Sequence, residues 1–159
     1  MIVPADLLRL ILVPPFLIGL WIILRRRERK VGRTLMLIGS IHVLGGLIVG
    51  WEPLFRIFEE GFFAQADSTI GHLPAEMEQE LVFWFLLWGV TTVILGQVIA
   101  RMEGLGERLP ARLGWELAVL SLVAIAVAPK GGFWWTLLPA YWILRDARRP
   151  KGDLSKDLR

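Results

Sequence analysis

The stretch LVFWFLLWGVTTVILGQVIA, residues 81–100, decides the fold class of this chain. It contains no charged side chain. As an α-helix it would extend for about 30 Å, which is the thickness of the hydrocarbon core of a bilayer. The stretch therefore predicts a helix that crosses a membrane.

The rest of the chain has the same apolar character. Of its 159 residues, 55% are apolar, compared with about 45–50% in soluble domains. The apolar residues form four further blocks: 7–24, 31–51, 113–128 and 131–147. We therefore predict an all-α integral membrane bundle with five transmembrane segments. It forms one domain, 1–150, followed by a charged tail, 151–159.

Two of these segments are irregular. Pro14-Pro15 interrupts the first span and should kink it, because proline lacks an N–H donor and clashes with the preceding turn. The charges follow this span instead of preceding it, which indicates an uncleaved anchor and not a signal peptide. The fifth span is short and contains Pro139, so a re-entrant half-helix is the alternative there.

The distribution of basic residues predicts the orientation. Cytoplasmic loops carry an excess of Lys and Arg. If the basic turn 25–30 is cytoplasmic, so are the 101–112 connector and the tail, and 15 of the 18 basic residues lie inside. The segment 52–80, with seven carboxylates and one Arg, lies outside. Five crossings satisfy this arrangement and four do not, which places the N-terminus outside and the C-terminus in the cytoplasm.

The tryptophans give a second indication of the span ends. Trp prefers the interface between membrane and water. Only Trp88 lies deep within a span, and seven others lie near span ends: Trp21, Trp51, Trp84, Trp115, Trp134, Trp135 and Trp142. An aromatic belt explains these seven better than stacking on a ligand does.

Small residues predict how the spans pack, since they let helix backbones approach closely in lipid. In the second span they share a face with a histidine: Gly39, His42, Gly46 and Gly50. The third span has a matching face: Gly89, Thr92, Gly96 and Ala100. The fourth has a rougher one: Gly114, Ala118, Ser121, Ala124 and Ala128. We expect these three spans to form a compact bundle, with the first span at its periphery or against a partner chain.

His42 is the leading functional candidate. It lies near the middle of the second span, where an ionisable residue is a functional hypothesis by default. It could bind a metal, relay a proton or hold a polar group of a ligand. The alternative is a neutral packing residue bonded to Thr91, Thr92 or Gln97. Near the start of the fourth span, Glu116 is expected to pair with Arg112, its i−4 neighbour.

The outer segment has two notable features. Residues 53–63 are amphipathic, with an apolar stripe made of Leu54, Phe55, Phe58 and Phe62. We expect this segment to lie flat on the outer surface, in lipid headgroups or on a partner, or to cap the bundle. His72, Glu76 and Glu80 have i, i+4, i+8 spacing, but Pro74 indicates the start of a helix there and the acidic residues suit its first turns. We therefore expect no metal site.

Several motifs resemble those of a family of small bacterial multi-pass membrane proteins known only as a domain of unknown function. They are residues 39–46 (GSIHVLGG), 83–89 (FWFLLWG), 109–115 (LPARLGW) and 132–134 (GFW). The resemblance extends from about Gly32 to Leu144. It implies a protein of the bacterial inner membrane and four membrane segments, so that the first span is an addition. It implies no activity.

Enzyme signatures are missing from the sequence. There is no cysteine, no phosphate-binding glycine loop, no nucleophile elbow and no zinc-binding helix. The basic turns adjoin spans and lack interleaved aromatics, which indicates lipid-headgroup anchors and not a nucleic-acid site. We therefore expect no catalytic residues and no cofactor.

The leading hypothesis is a non-enzymatic accessory subunit of a larger membrane complex. The alternative is a binder, carrier or enzyme for a small lipophilic molecule, a lipid or a quinone, with a site lined by His42, Trp88, Thr92 and Gln97. Such sites are mostly apolar with a few polar groups. An oligomeric channel is disfavoured, because the spans have too few polar residues for a wet pore.

Overall fold

The computed structural model describes residues 5–25, 30–59, 61, 74–129 and 132–148. These ranges contain helices and no strand. The elements are α1 (Ala5–Arg25), α2 (Lys30–Val49), α3 (Trp51–Glu59), α4 (Pro74–Gly104), α5 (Ala111–Val127), a 3-10 helix (Gly132–Thr136) and α6 (Leu137–Ala147). The prediction of an all-α fold is confirmed for the described residues.

The longest helix, α4, begins at Pro74, as predicted from the sequence. It continues past the apolar run to Gly104, and the chain then turns at Gly106, whose φ of 75° lies in the left-handed region. Glycine adopts this conformation without the steric penalty of a Cβ. Pro110 then occupies the N-cap position of α5 with an extended backbone.

Helices α2 and α4 form an antiparallel pair with closely packed backbones. A Cβ on Gly32 would lie 2.3 Å from the Ala100 nitrogen, and one on Gly39 would lie 2.7 Å from the Gly89 oxygen. Because only glycine allows such an approach, the matching glycine faces hold these two helices together. The predicted contact between the second and third spans is confirmed.

Helix α1 packs on α2 at the edge of the bundle. A Cβ on Gly19 would meet the Leu37 side chain at 2.8 Å, and the rings of Phe16 and Trp135 are 4.4 Å apart. The helix continues through Pro14 and Pro15. Its predicted peripheral position is therefore confirmed, and the 3-10 helix supplies an additional contact.

The core requires one correction to the predicted bundle. Helix α5 packs along α6 and the 3-10 helix, so α6, and not α5, lies directly against α2. Trp142 and Ile143 of α6 join a buried cluster with Val31, Leu35 and Ile99. The fifth segment, the weakest by apolar length, is thus the one that fills the centre. Its small Ala140 and compact Pro139 are almost fully buried, which permits close packing there.

Five helix ends meet at one end of the bundle, which we call the basic end. The start of α2 lies against the ends of α4 and α6, since Gly32 bonds Glu103 and Lys30 lies 3.7 Å from Asp146. The start of α5 is there too, because Gly114 faces Leu144. The end of α1 is only a short connection away from Lys30. Basic residues mark these ends: Arg25, Lys30, Arg101, Arg112 and Arg145.

Helix α3 lies at the opposite end, against the start of α4. Ile57 is buried in this contact, and Arg56 links to Glu78 at 3.4 Å and to Glu52 at 3.9 Å. The predicted single apolar stripe is divided, because Leu54 and Ile57 turn inward while Phe55 and Phe58 face outward. Phe62 lies outside the described residues.

Within the described ranges, two helices are long and apolar enough to cross a membrane by length and composition. They are Lys30–Val49 and Glu78–Gly104. Less than half of each apolar window is buried: 39% in the first helix and 22% in the second. Val13–Ile23 is a shorter apolar helix.

Candidate functional site

His42 lies at the interface of α2 and α4, as its position on the glycine face predicts. Its ring stacks on Phe85 of α4 with a centroid distance of 3.7 Å and an interplanar angle of 19°. The absent side chain of Gly89 makes room for it, since a Cβ there would lie 3.2 Å from His42 Cδ2. Packing of α4 therefore holds the imidazole in one orientation.

The Nε2 atom of His42 is buried and has no hydrogen-bond partner among the residues that the structure describes. A buried polar atom without a partner costs about 1–3 kcal/mol. The expected bond to Thr91, Thr92 or Gln97 is not formed. The imidazole instead stacks on the Phe85 ring and forms a hydrogen bond with the Phe85 backbone.

Thr92 and Trp88 bond within their own helix. The Thr92 hydroxyl is buried and donates to the Trp88 carbonyl oxygen at 2.9 Å. Such back-bonding satisfies the hydroxyl locally, so it does not need a partner on another helix. The Trp88 indole itself is 41% exposed on the outer side of α4.

Gln97 occupies a different part of α4. It is exposed and lines a surface groove of about 630 Å³ together with Met36, Val98, Ala100, Arg101, Gly104 and Leu105. Eight residues separate it from Gly89, the neighbour of His42, which is about 12 Å along the helix. The structure thus does not bring the four residues His42, Trp88, Thr92 and Gln97 together in one cavity.

A polar cluster that the sequence analysis missed lies at the basic end. The Glu103 carboxylate accepts the N–H groups of Val31 at 3.1 Å and Gly32 at 2.9 Å. The first turn of a helix has N–H groups without partners inside the helix, so a carboxylate there is stabilising. Glu103 therefore caps α2 from another helix, more than seventy residues along the chain.

Lys30 connects the same cluster to α6. Its ammonium lies 3.7 Å from the Asp146 carboxylate and 5.6 Å from the centre of the Trp142 ring. Arg145 also reaches Asp146, at 3.2 Å. Together with the Glu103 cap, these contacts join α2, α4 and α6 at the basic end. The only sequence signal was the presence of Glu103 and Asp146 among many basic residues, which did not specify their partners.

Two other polar pairs stabilise the α5–α6 side. Arg112 and Glu116 pair at 2.7 Å, as predicted from their spacing. The Ser121 and Thr136 hydroxyls are 2.6 Å apart and join α5 to the 3-10 helix. Ser121, on the small-residue face of α5, thus forms a hydrogen bond that links α5 to the 3-10 helix.

The outer acidic residues show no convergence on a cation in the described part of the chain. No group of three or more His, Asp or Glu side chains is placed to hold a metal there. Glu80 accepts the indole N–H of Trp84 at 3.3 Å. His72 lies outside the described residues.

Three arrangements thus offer groups for binding. The buried Nε2 of His42 can form one hydrogen bond, and the basic end holds a network of charges. The groove beside Gln97 combines apolar walls with two polar side chains. No pair of these groups is arranged as a nucleophile and its base in the described ranges.

Comparison with known proteins gives one match. A model described as a family of unknown function (DUF6463) matches residues 26–150. This range contains the motifs that suggested a family of unknown function from the sequence. No curated protein and no solved structure gives a significant match.

Proposed function

This chain belongs to the DUF6463 family of unknown function, and we propose that it is a multi-pass membrane protein serving as a non-enzymatic accessory subunit of a larger membrane complex. One observation carries the proposal. The helices have outer faces that do not pack against the bundle, and large apolar side chains cover these faces.

The outer face of α4 is the clearest example. It exposes large apolar side chains over more than four turns: Leu81, Trp84, Leu87, Trp88, Ile94 and Val98. A soluble monomer rarely exposes a contiguous apolar patch of more than a few hundred Å². Hydrocarbon tails or apolar faces of other subunits would solvate this surface.

The basic end supports the proposed orientation. Arginines and lysines mark the helix ends there, whereas Glu52, Glu59, Glu78 and Glu80 lie at the opposite end. Under the rule that positive residues face the cytoplasm, five crossings put the start of α1 outside and the end of α6 inside. In a bacterium this is the inner membrane.

The lengths of the last two segments are compatible with crossing. The 17 residues of α5 extend for about 25 Å at the rise of an α-helix. The five-residue 3-10 helix followed by the 11 residues of α6 extends for about 26 Å. Both lengths approach the hydrocarbon thickness, and Arg112 and Arg145 at the basic end can extend to the headgroups.

The faces that the chain leaves uncovered are the support for the proposed accessory role. Helix α1 exposes Leu17, Ile18 and Trp21, and α5 exposes Val119, Leu122 and Val123. Both helices lie at the edge of the bundle, with one side packed and the other apolar. Edge helices of this kind provide contact surfaces for neighbouring subunits.

Native purification tests the proposal. Membranes are extracted in a mild detergent, and the complex is separated by blue-native electrophoresis and identified by mass spectrometry. We expect a species well above the 18.0 kDa of this chain, with co-purifying membrane proteins. A lone chain would overturn the accessory role. A C-terminal tag accessible from outside sealed cells would overturn the topology.

A second candidate function is favoured by the unpaired Nε2 of His42. In this alternative the protein binds or carries a lipid or quinone whose oxygen occupies the vacant hydrogen-bonding position of the imidazole. Mass spectrometry of lipophilic molecules bound to the wild type and to His42→Phe tests it. Retention of the same molecules by a folded His42→Phe protein would exclude this function.

A further inference from the structure

A groove runs along the α2–α4 interface at the basic end. Met36 of α2 forms one wall, and the end of α4 with the following turn forms the other. The backbones of the two helices touch beside the groove, at Gly32, Gly96 and Ala100. Gly104 has no side chain to fill it.

The polar and apolar groups of the groove are ordered along the helix axis. Of the two polar side chains, Arg101 lies nearer the helix end, and Gln97 lies one turn deeper on the same face, about 6 Å away along the axis. Met36 and Val98 provide apolar walls beside Gln97. Ile94 and Val90, which are exposed apolar residues of α4, continue the same face one and two turns deeper. A cation, an amide and a hydrocarbon surface therefore follow one another from the basic end inward.

This order matches that of a glycerophospholipid. Its phosphate lies at the membrane surface, its ester carbonyls lie a few ångströms deeper, and its acyl chains follow. A guanidinium binds a phosphate with charge-assisted hydrogen bonds, and a glutamine amide can donate to an ester carbonyl. No ion pair joins Arg101 to another residue in the ranges that the structure describes, so its charge is not neutralised within them.

We propose that this groove binds one anionic phospholipid of the cytoplasmic leaflet, with the phosphate on Arg101, an ester carbonyl on Gln97 and an acyl chain that passes Met36 toward Ile94 and Val90. The site depends on the proposed membrane topology, which places the basic end at that leaflet. Basic pockets between helices on the cytoplasmic side are the usual location for anionic headgroups. The positive charge favours an anionic lipid over a zwitterionic one.

The test uses the full-length protein in nanodiscs containing equal amounts of phosphatidylglycerol and phosphatidylethanolamine. Native mass spectrometry after release into detergent measures which lipid remains bound. We expect the wild type to retain one phosphatidylglycerol in preference to phosphatidylethanolamine by about fivefold, the effect of one basic residue near the surface. Arg101→Gln should reduce this preference to near equality.

Arg112→Gln is the matched control. Arg112 is also exposed at the basic end, but it pairs with Glu116 and does not line the groove. Its substitution should leave the preference unchanged. Gly104→Leu, which fills the groove, should reduce retention of both lipids.

Three results would overturn the inference: an unchanged preference in Arg101→Gln, an equal loss in both arginine variants, or displacement of the lipid by inorganic phosphate. The last result would indicate a site for free phosphate. None of them bears on the accessory role, which the co-purifying proteins decide. Conversely, a tag that faces outward would overturn the topology whatever lipid is retained.

Discussion

The Glu103 carboxylate at the end of α4 accepts the main-chain N–H of Gly32 at 2.9 Å, so one helix caps the first turn of another. It also accepts the N–H of Val31 at 3.1 Å. The same turn of α2 contributes Gly32 to the close glycine packing. Capping and packing therefore reinforce each other where α2 and α4 meet.

Glu103→Ala should destabilise the protein. It removes the acceptor from two N–H groups at the start of α2, and the loss of a helix cap costs about 0.5–2 kcal/mol. Chemical unfolding in mixed micelles measures the free energy of unfolding. Glu107→Ala is the control, because Glu107 is exposed in the turn after α4. Equal effects of the two substitutions would contradict the capping role.

Gly96→Ala should separate α2 from α4. The added Cβ would lie 2.7 Å from the Gly32 oxygen and from the Met36 nitrogen, and these backbone atoms cannot move independently. Overpacking of this kind costs about 1–3 kcal/mol. The midpoint of thermal unfolding should fall accordingly.

Two alanine variants calibrate the Gly96 result. At Gly19 the added methyl meets only the Leu37 side chain, which can rotate away, and at Gly132 it meets nothing within 4 Å. Both variants should unfold close to the wild-type temperature. If Gly132→Ala lowered the midpoint as much as Gly96→Ala does, the close approach of backbones would not be the cause.

Ile143→Ala tests the position of α6 in the core. Ile143 is 1% exposed within the cluster that joins α2, α4 and α6. Truncation of a buried isoleucine leaves a cavity and costs about 2–5 kcal/mol. Ile94→Ala, at an outward position that is 55% exposed, should cost much less in the same unfolding assay. The reverse order would show that α6 does not fill the centre.

His42→Phe distinguishes a packing role from a functional one. The substitution retains a ring to stack on Phe85 and removes the unpaired Nε2. A buried polar atom without a partner is unfavourable, and its removal offsets the loss of the hydrogen bond to the Phe85 backbone, so the variant should unfold close to the wild-type temperature. His42→Ala should lose about 0.5–1.5 kcal/mol of ring stacking and leave a cavity besides.

The two His42 variants together give a clear outcome in thermal unfolding. If His42→Phe is stable and its cellular complex is intact, the imidazole serves only in packing. If it is stable but loses a bound lipophilic molecule, the Nε2 atom binds that molecule. Instability of His42→Phe would show that the hydrogen bond between the imidazole and the Phe85 backbone outweighs the cost of the unpaired Nε2.

Several features followed from the chain without knowledge of its fold. Each depends on residues close together in sequence: an uncharged run gives a long helix, Pro74 marks its start, and the i, i+4 spacing pairs Arg112 with Glu116. The glycine faces of α2 and α4 were also predictable. Their period is that of one helix, and close approach is what small residues permit in lipid.

Other features could not be obtained in this way. The sequence grouped His42, Thr92 and Gln97 because all are polar residues in apolar spans, but the level at which His42 meets α4 depends on the register between α2 and α4. A shift of two turns along a helix leaves the composition of each span unchanged. The i, i+4 spacing already placed Gln97 and Arg101 on one face of a helix. That both line one groove became visible only in the tertiary structure.

The sequence by itself determined that this chain forms long apolar helices, and which faces of two of them are smooth, because these properties depend on composition and periodicity within one segment. Tertiary structure alone decided that the short α6 fills the core, that Phe85 stacks on His42 and that Glu103 caps α2. These contacts join residues far apart in the chain: 72 positions separate Val31 from Glu103, and the separation between Val31 and Ile143 is larger still. No local pattern encodes which distant partner a side chain will meet.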